Sequence, residues 1–100
     1  MNLSSSDKIL LQQFFKDKPV KKAYLFGSYA RNSAIKNTSD IDILVELDYS
    51  QHLGLGFIQM IIDLEKLLNA KVDLVSADSL SKYVKPFVDK DKVLLYERAA

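Results

Sequence analysis

The chain has 100 residues, of which 48% are hydrophobic, and its 14 Lys and Arg nearly balance its 13 Asp and Glu. This length and composition predict one globular domain covering residues 1–100. The near-zero net charge gives no indication of direct nucleic-acid binding or of an anionic membrane partner. The lack of cysteine excludes disulfides and thiolate metal sites. Because the chain shows neither a signal-peptide pattern nor an apolar run long enough to span a bilayer, we expect a cytoplasmic protein.

The first part of the chain predicts a helix that ends before residue 20. Ser4 and the two serines after it precede Asp7, which indicates a capped helix start with an acidic first turn. Apolar side chains then recur at helical spacing: Ile9, Leu10, Leu11, Phe14 and Phe15. Pro19 cannot continue a helix and is expected to end it.

Two short strands with a helix between them are predicted next. Residues 22–26 predict a strand, residues 29–34 a short helix and residues 36–39 a polar turn. Residues 41–47 predict a second strand, in which alternate side chains take opposite faces. One face holds Ile41, Ile43 and Val45, and the other holds Asp42, Leu44 and Glu46. Asp40 directly precedes this strand on the Asp42 side.

The second half begins with the longest predicted helix. After a loop at residues 48–54, helical periodicity runs through residues 55–69. Residues 71–75 then predict a third strand. Ser76 or Asp78 can cap a further helix.

The tail at residues 80–97 has a mixed pattern. We expect Pro86 to interrupt it, and residues 93–96 fit either a last strand or a helical turn. The alternation of helices and strands along the whole chain predicts the α/β (α+β) class.

Two aspartates on one face of the second strand suggest a metal site. Asp40 and Asp42 are two residues apart, so their side chains project to the same face roughly 6–7 Å apart along the chain. At that distance two bare carboxylates repel by about 2–3 kcal/mol at an effective dielectric near 20. A divalent cation removes the repulsion, and Mg²⁺ typically takes one or two carboxylates together with water and substrate phosphate.

A third aspartate lies in an apolar strand. Asp73 follows Val72 and precedes Leu74, and a charge inside such a strand is costly unless it has a partner. If this strand pairs beside residues 41–47, Asp73 joins the other two carboxylates. It could then ligate a second metal ion or take the proton from an attacking hydroxyl.

The end of the first strand suggests a phosphate site. Gly27 permits a close backbone approach and unusual dihedral angles. Ser28 adds a hydroxyl and a backbone N–H near the expected start of a helix, where anions bind through N–H groups. This geometry fits the β- and γ-phosphates of a nucleotide.

Together these residues resemble the nucleotidyltransferase superfamily with the DNA polymerase β palm, and in particular its minimal nucleotidyltransferase (MNT-domain) members. The family pattern is Gly-Ser, then Ala-Arg-Gly, then Ser-Asp-x-Asp, with a third acid on a later strand. The matching positions are Gly27, Ser28, Ala30, Arg31, Ser39, Asp40, Asp42 and Asp73. One position departs, because Asn32 stands where glycine is usual. Asparagine tolerates the left-handed conformation better than most residues.

The resemblance implies both a fold and a set of site residues. The fold would be a polymerase β-like palm, a small mixed sheet flanked by helices. The implied catalytic residues, which are also the ligands of one or two Mg²⁺ ions, are Asp40, Asp42 and Asp73. The implied contacts to the nucleotide phosphates are Gly27, Ser28, Arg31 and Ser39. For Arg31, a structural ion pair is an equally supported alternative.

The resemblance also implies a reaction and a partner. MNT proteins of this kind are usually partnered with a HEPN-domain toxin, for which they are the antitoxin. The implied reaction transfers AMP from ATP to a hydroxyl of that toxin, expected to be a tyrosine, and the implied assembly is a hetero-oligomer with it. Two alternatives stay open: a non-catalytic antitoxin that only binds the toxin, and nucleotidyl transfer to a small molecule. Residues 55–69 and the tail are the candidate partner surfaces.

Overall fold

The chain is built around one four-stranded sheet. In the computed structural model, the described residues are 3–31, 40–50 and 54–99. Along them the elements are α1 (Ser5–Lys16), β1 (Val20–Phe26), α2 (Gly27–Ala30), β2 (Ile41–Leu47), α3 (Gly56–Leu68), β3 (Val72–Ser76), α4 (Lys85–Asp91) and β4 (Val93–Glu97). A short 3₁₀ helix, Ala77–Ser79, follows β3. No helix in these ranges is both long and apolar enough to cross a membrane.

The sheet is mixed, with the strand order β3-β2-β1-β4. Strand β1 pairs antiparallel with both β2 and β4. Strand β2 pairs parallel with β3, and a parallel connection needs a crossover, which α3 supplies. The strand that carries Asp73 therefore lies beside the strand that carries Asp42, as the predicted grouping of the acids requires.

One face of the sheet forms the hydrophobic core. The buried strand residues on this face alternate with side chains of the opposite face, as the period of a strand requires: Ala23, Leu25, Ile41, Ile43, Val45, Val72 and Leu74. Helices α1 and α3 cover them with Leu11, Phe15, Met60 and Leu64. The aspartates of β2 and β3 lie at the intervening positions, so they belong to the opposite face.

The ends of the two long helices follow from local chemistry. Ser4 and Asp7 form the predicted cap of α1: the Asp7 N–H donates to Ser4 Oγ at 3.0 Å, and the Ser4 N–H donates to Asp7 Oδ2 at 3.3 Å. Helix α3 ends at Asn69, whose φ of 49° is left-handed and which takes the position where glycine is common.

The tail differs from its prediction. Pro86 does not interrupt a segment but lies in the first turn of α4, where its missing N–H costs no helical hydrogen bond. Residues 93–97 are the strand β4 rather than a helical turn. Ser76 takes the N-cap position of a 3₁₀ helix without a side-chain cap bond, and Asp78 instead accepts a hydrogen bond from the Tyr49 hydroxyl.

The segment between β1 and β2 is only partly described. The short helix predicted at residues 29–34 begins earlier, at Gly27, and is helical through Ala30. The polar turn predicted at residues 36–39 lies outside the described residues, and so do Asn32 and Ser39.

Candidate active site

Asp42 and Asp73 are direct neighbours on adjacent strands. They are register partners in the parallel pair of β2 and β3, so both side chains leave the same face of the sheet. Neighbouring strands lie about 4.8 Å apart, which places the two side chains side by side. Asp40 lies two residues before Asp42, just outside β2, and is exposed like Asp73, whereas Asp42 is half-buried. The structure thus places Asp42 beside Asp73, with the charge of Asp40 nearby.

The electrostatics of this group centre on Asp42. Burial raises the pKa of the Asp42 carboxyl to about 6, and the neighbouring charges of Asp73 and Asp40 act in the same direction. The guanidinium of Arg31 opposes the rise. A carboxylate crowded by two like charges is relieved by a cation, so the group favours positive charge at this edge of the sheet.

Gly27 packs directly against the Asp42 carboxylate. Its φ of +71° lies in the left-handed region, which L side chains rarely adopt. A Cβ atom built at this position would collide with Asp42 Oδ2 and lie 3.1 Å from Asp42 Cγ. Glycine is therefore required both for the backbone conformation and for the close approach of α2 to the acid. Phe26, the residue before it, is the register partner of Asp42 in β1.

Ser28 lies in the first turn of α2, one residue beyond Gly27. The start of a helix is where backbone N–H groups bind anions. Since Gly27 holds this turn against Asp42, a phosphate bound there would lie next to the carboxylates. The predicted phosphate loop and the predicted acids thus meet at one place.

Arg31 forms an ion pair whose partner the sequence did not reveal. Its Nη1 donates to Asp91 Oδ2 at 2.8 Å, joining the end of α2 to the end of α4. The structural ion pair considered for Arg31 is therefore present, with a partner 60 residues away in the chain. No local pattern marks Asp91, since it belongs to a tail of alternating lysines and aspartates.

The carboxylates of this site fit a metal ion that also binds oxygen atoms of the substrate. Among residues 3–31, 40–50 and 54–99, no three His, Cys, Asp or Glu side chains converge closely enough to hold an ion by themselves. The paired carboxylates still fit Mg²⁺, which usually keeps several waters and binds through one or two carboxylates plus substrate phosphates. The charges of Asp73 and Asp40 raise the pKa of Asp42 beyond the effect of burial, so a bound cation would relieve repulsion that Arg31 only partly offsets.

The class of protein follows from the family to which the chain belongs. Residues 8–95 match the family model described as a nucleotidyltransferase domain, so the chain belongs to the nucleotidyltransferase domain family and is a nucleotidyltransferase. A relative from Methanocaldococcus jannaschii, which bears the provisional name protein adenylyltransferase MJ1379, is 40% identical over 85 residues. The alignment covers 82% of this chain and 84% of the relative.

Solved structures with the same fold include a minimal nucleotidyltransferase and toxin–antitoxin complexes. A minimal nucleotidyltransferase is 28% identical with a TM-score of 0.71, over 89% of this chain and 88% of that one. A toxin–antitoxin structure with AMP-PNP is 27% identical with a TM-score of 0.71, over 94% and 74%. A Shewanella oneidensis complex of an MNT antitoxin with a tri-AMPylated HEPN toxin is 23% identical with a TM-score of 0.70, over 95% and 73%, and shows the shared fold. The predicted family and the mixed sheet flanked by helices are confirmed.

Replacing Gly27 tests the close approach of α2 to Asp42. We expect Gly27→Ala to lower the free energy of unfolding by at least about 1–2 kcal/mol, the usual cost of a left-handed conformation for a residue with a Cβ. The collision with Asp42 adds to this cost. Gly56→Ala is the matched control, because a Cβ there meets nothing within 4 Å. It should be neutral or stabilising by up to about 1 kcal/mol. Equal urea midpoints for the two variants would contradict the packing argument.

Removing the Asp42 charge tests the electrostatics. The folded state raises the pKa of Asp42, so it binds this proton more tightly than the unfolded chain does. Ionising the group therefore costs stability, and this cost grows between about pH 4 and pH 6. In metal-free buffer, Asp42→Asn should gain stability over the wild type across that range and keep a constant advantage above it. Asp63→Asn, on α3, serves as the control away from the site. An advantage of Asp42→Asn that does not change with pH would disprove the assignment.

Proposed function

We propose that this chain is an antitoxin that transfers AMP from ATP to a hydroxyl, in particular a tyrosine, of a HEPN-domain partner in a Mg²⁺-dependent reaction. The observation that carries the proposal is the meeting of Gly27, Asp42 and Asp73 at one edge of the sheet. A phosphate turn beside two neighbouring carboxylates is what nucleotidyl transfer needs. The reaction belongs in the cytoplasm, where the partner and ATP would both be available.

The acids have separate roles in this proposal. Asp40 and Asp42 would hold Mg²⁺, and Asp73 would be a further ligand when a second ion binds. The metal would neutralise charge on the triphosphate. Gly27 and Ser28 would orient the β- and γ-phosphates through the first turn of α2. Ser39 is a further predicted contact to the nucleotide phosphates. Catalysis would rest mainly on positioning and charge stabilisation.

Asp73 is suited to the acceptor side of the reaction. It is exposed at the edge strand, next to Asp42 in register, so a hydroxyl from another protein can approach it. Its carboxylate would take the proton while the acceptor oxygen forms a bond to the α-phosphorus. The bond from the α-phosphorus to the bridging oxygen of the β-phosphate breaks, and pyrophosphate leaves.

The solved complexes support the choice of partner. One neighbouring structure is a toxin–antitoxin with AMP-PNP, and another contains an AMPylated HEPN toxin with its MNT antitoxin. These facts belong to those proteins, and together with the site they favour the same kind of partner here. Inhibition of the toxin by binding alone and transfer to a small molecule are the alternatives. The exposed apolar surfaces of this chain favour the first of them.

Two exposed apolar surfaces are available to a partner. The α3 face consists of Leu55, Ile58 and Ile62, and the α4 face consists of Tyr83, Val84 and Phe87. Helix α3 packs on the core side of the sheet, behind the carboxylates. Helix α4 ends at Asp91, which forms the ion pair with Arg31. A partner whose hydroxyl must reach Asp73 is therefore better placed on the α4 face, which we propose as its docking surface.

A transfer assay tests the activity. Incubation of the chain with α-³²P-ATP, Mg²⁺ and a native host extract should label one protein band, since the α-phosphate moves to the acceptor. Asp42→Asn should abolish the label because it removes a carboxylate that holds the metal and phosphates. Asp63→Asn should keep it. Labelling by Asp42→Asn at the wild-type rate would refute the proposed site, and the absence of label with every variant would favour inhibition by binding alone.

A binding assay with the purified labelled protein tests the docking surface. Phe87→Glu places a charge on a side chain that is 73% exposed, and Ile58→Glu does the same at 56% exposure on the α3 face. We expect Phe87→Glu to weaken the complex at least about tenfold, the loss typical of a buried aromatic anchor. Ile58→Glu should change little. The reverse order of effects would move the docking surface to α3.

A further inference from the structure

The ion pair between Arg31 and Asp91 joins the nucleotide site to α4. Arg31 is the residue directly after α2, and its N–H donates to the carbonyl oxygen of Gly27 at 3.1 Å. Gly27 in turn packs against the Asp42 carboxylate, so Arg31 lies at the proposed nucleotide site. Its side chain is 52% exposed and that of Asp91 is 25% exposed. The arginine is thus accessible from solvent, and its partner is the more enclosed of the two.

Asp91 is held in place by the contacts around it. Val88, one turn earlier on α4, is buried. Lys92, the next residue, places its Nζ 4.5 Å from the centre of the Tyr24 ring. The Tyr24 hydroxyl donates in turn to Glu46 Oε2 at 3.3 Å on β2. These contacts fix the end of α4 over the sheet face that carries Asp42.

A guanidinium held at one nitrogen still has donors to offer. Arginine has five N–H donors in a planar fork, and the bond to Asp91 uses one of them. A triphosphate next to Asp42 would find the remaining donors close by and already oriented. Ordering a long side chain in advance reduces the entropy that a ligand must otherwise overcome when it binds.

We propose that Asp91 is a positioning residue, which orients Arg31 for binding of the nucleotide triphosphate. This inference rests on the proposed function, since it concerns the same nucleotide site. Asp91 touches neither the nucleotide nor the reacting atoms, and acts only through Arg31. Its role is distinct from holding the fold together, and the difference is measurable.

The test is a double-mutant cycle read by nucleotide affinity. The probe is α,β-methylene-ATP with Mg²⁺, which cannot undergo transfer, and calorimetric titration of the full chain gives Kd. We expect Asp91→Ala to weaken binding about 3- to 10-fold, as expected for the loss of one pre-ordered side chain. In an Arg31→Ala background the same change should have no further effect, because there is nothing left to orient. Asp91→Glu should restore most of the affinity.

A matched control separates positioning from stability. Asp89 lies on the same helix and pairs with Lys85 at 2.6 Å and Lys92 at 3.0 Å, so Asp89→Ala also removes an ion-paired aspartate from α4. It should leave Kd unchanged. Thermal melts would show whether each variant is folded, and Asp91→Leu, which keeps the size of the side chain but accepts no hydrogen bond, replaces Asp91→Ala if the latter does not fold.

The outcomes distinguish this inference from the proposed function. An unchanged Kd for Asp91→Ala, an equal loss in both Arg31 backgrounds, or an equal loss for Asp89→Ala would overturn the positioning role while leaving nucleotide binding intact. Failure of the wild-type chain to bind the probe would instead overturn the proposed function and the inference with it.

Discussion

The parallel pairing of β2 with β3 is the constraint on which the site depends. Parallel register sets Asp42 opposite Asp73, and no rearrangement of side chains can separate two residues that leave the same face of neighbouring strands. The hydrophobic residues on the other face fix this register, since a slip by one residue would expose Ile41 and Ile43 to water. The energy of core packing therefore holds two like charges together.

The two faces of the sheet divide stability and chemistry between them. The core face is closed by α1 and α3, whereas the opposite face carries the acids and the start of α2. Asp42 is the one of the three acids that is half-buried, and its raised pKa measures the cost that this face imposes. Such costs are common at functional sites, where residues are selected for their chemistry rather than for the stability of the fold. A bound cation with its phosphate would remove part of this cost.

Features set by near neighbours in the chain were predictable, and features set by distant ones were not. The Ser4 cap, the alternation of β2 and the acid pair on it follow from spacing, and the structure has them where expected. The role of Pro86 depended on whether a helix began just before it, which composition did not decide. Asp73 reached the site only through a strand pairing that the sequence allowed but did not fix. Asp91 could not be found, because its contact with Arg31 spans 60 residues and follows no periodicity.

Helix α4 contributes little to the hydrophobic core, although its end is held by polar contacts. Val88 is its buried residue, and its remaining contacts are mainly ion pairs at the surface, which contribute little individually. A short segment of this kind opens locally far more often than the sheet unfolds, and its amides would exchange with solvent first. By thermodynamic linkage, a partner that binds the ordered form of α4 raises the affinity of the site for the nucleotide that Arg31 binds. The nucleotide raises the affinity for the partner by the same factor. Partner and nucleotide would then favour each other's binding through α4.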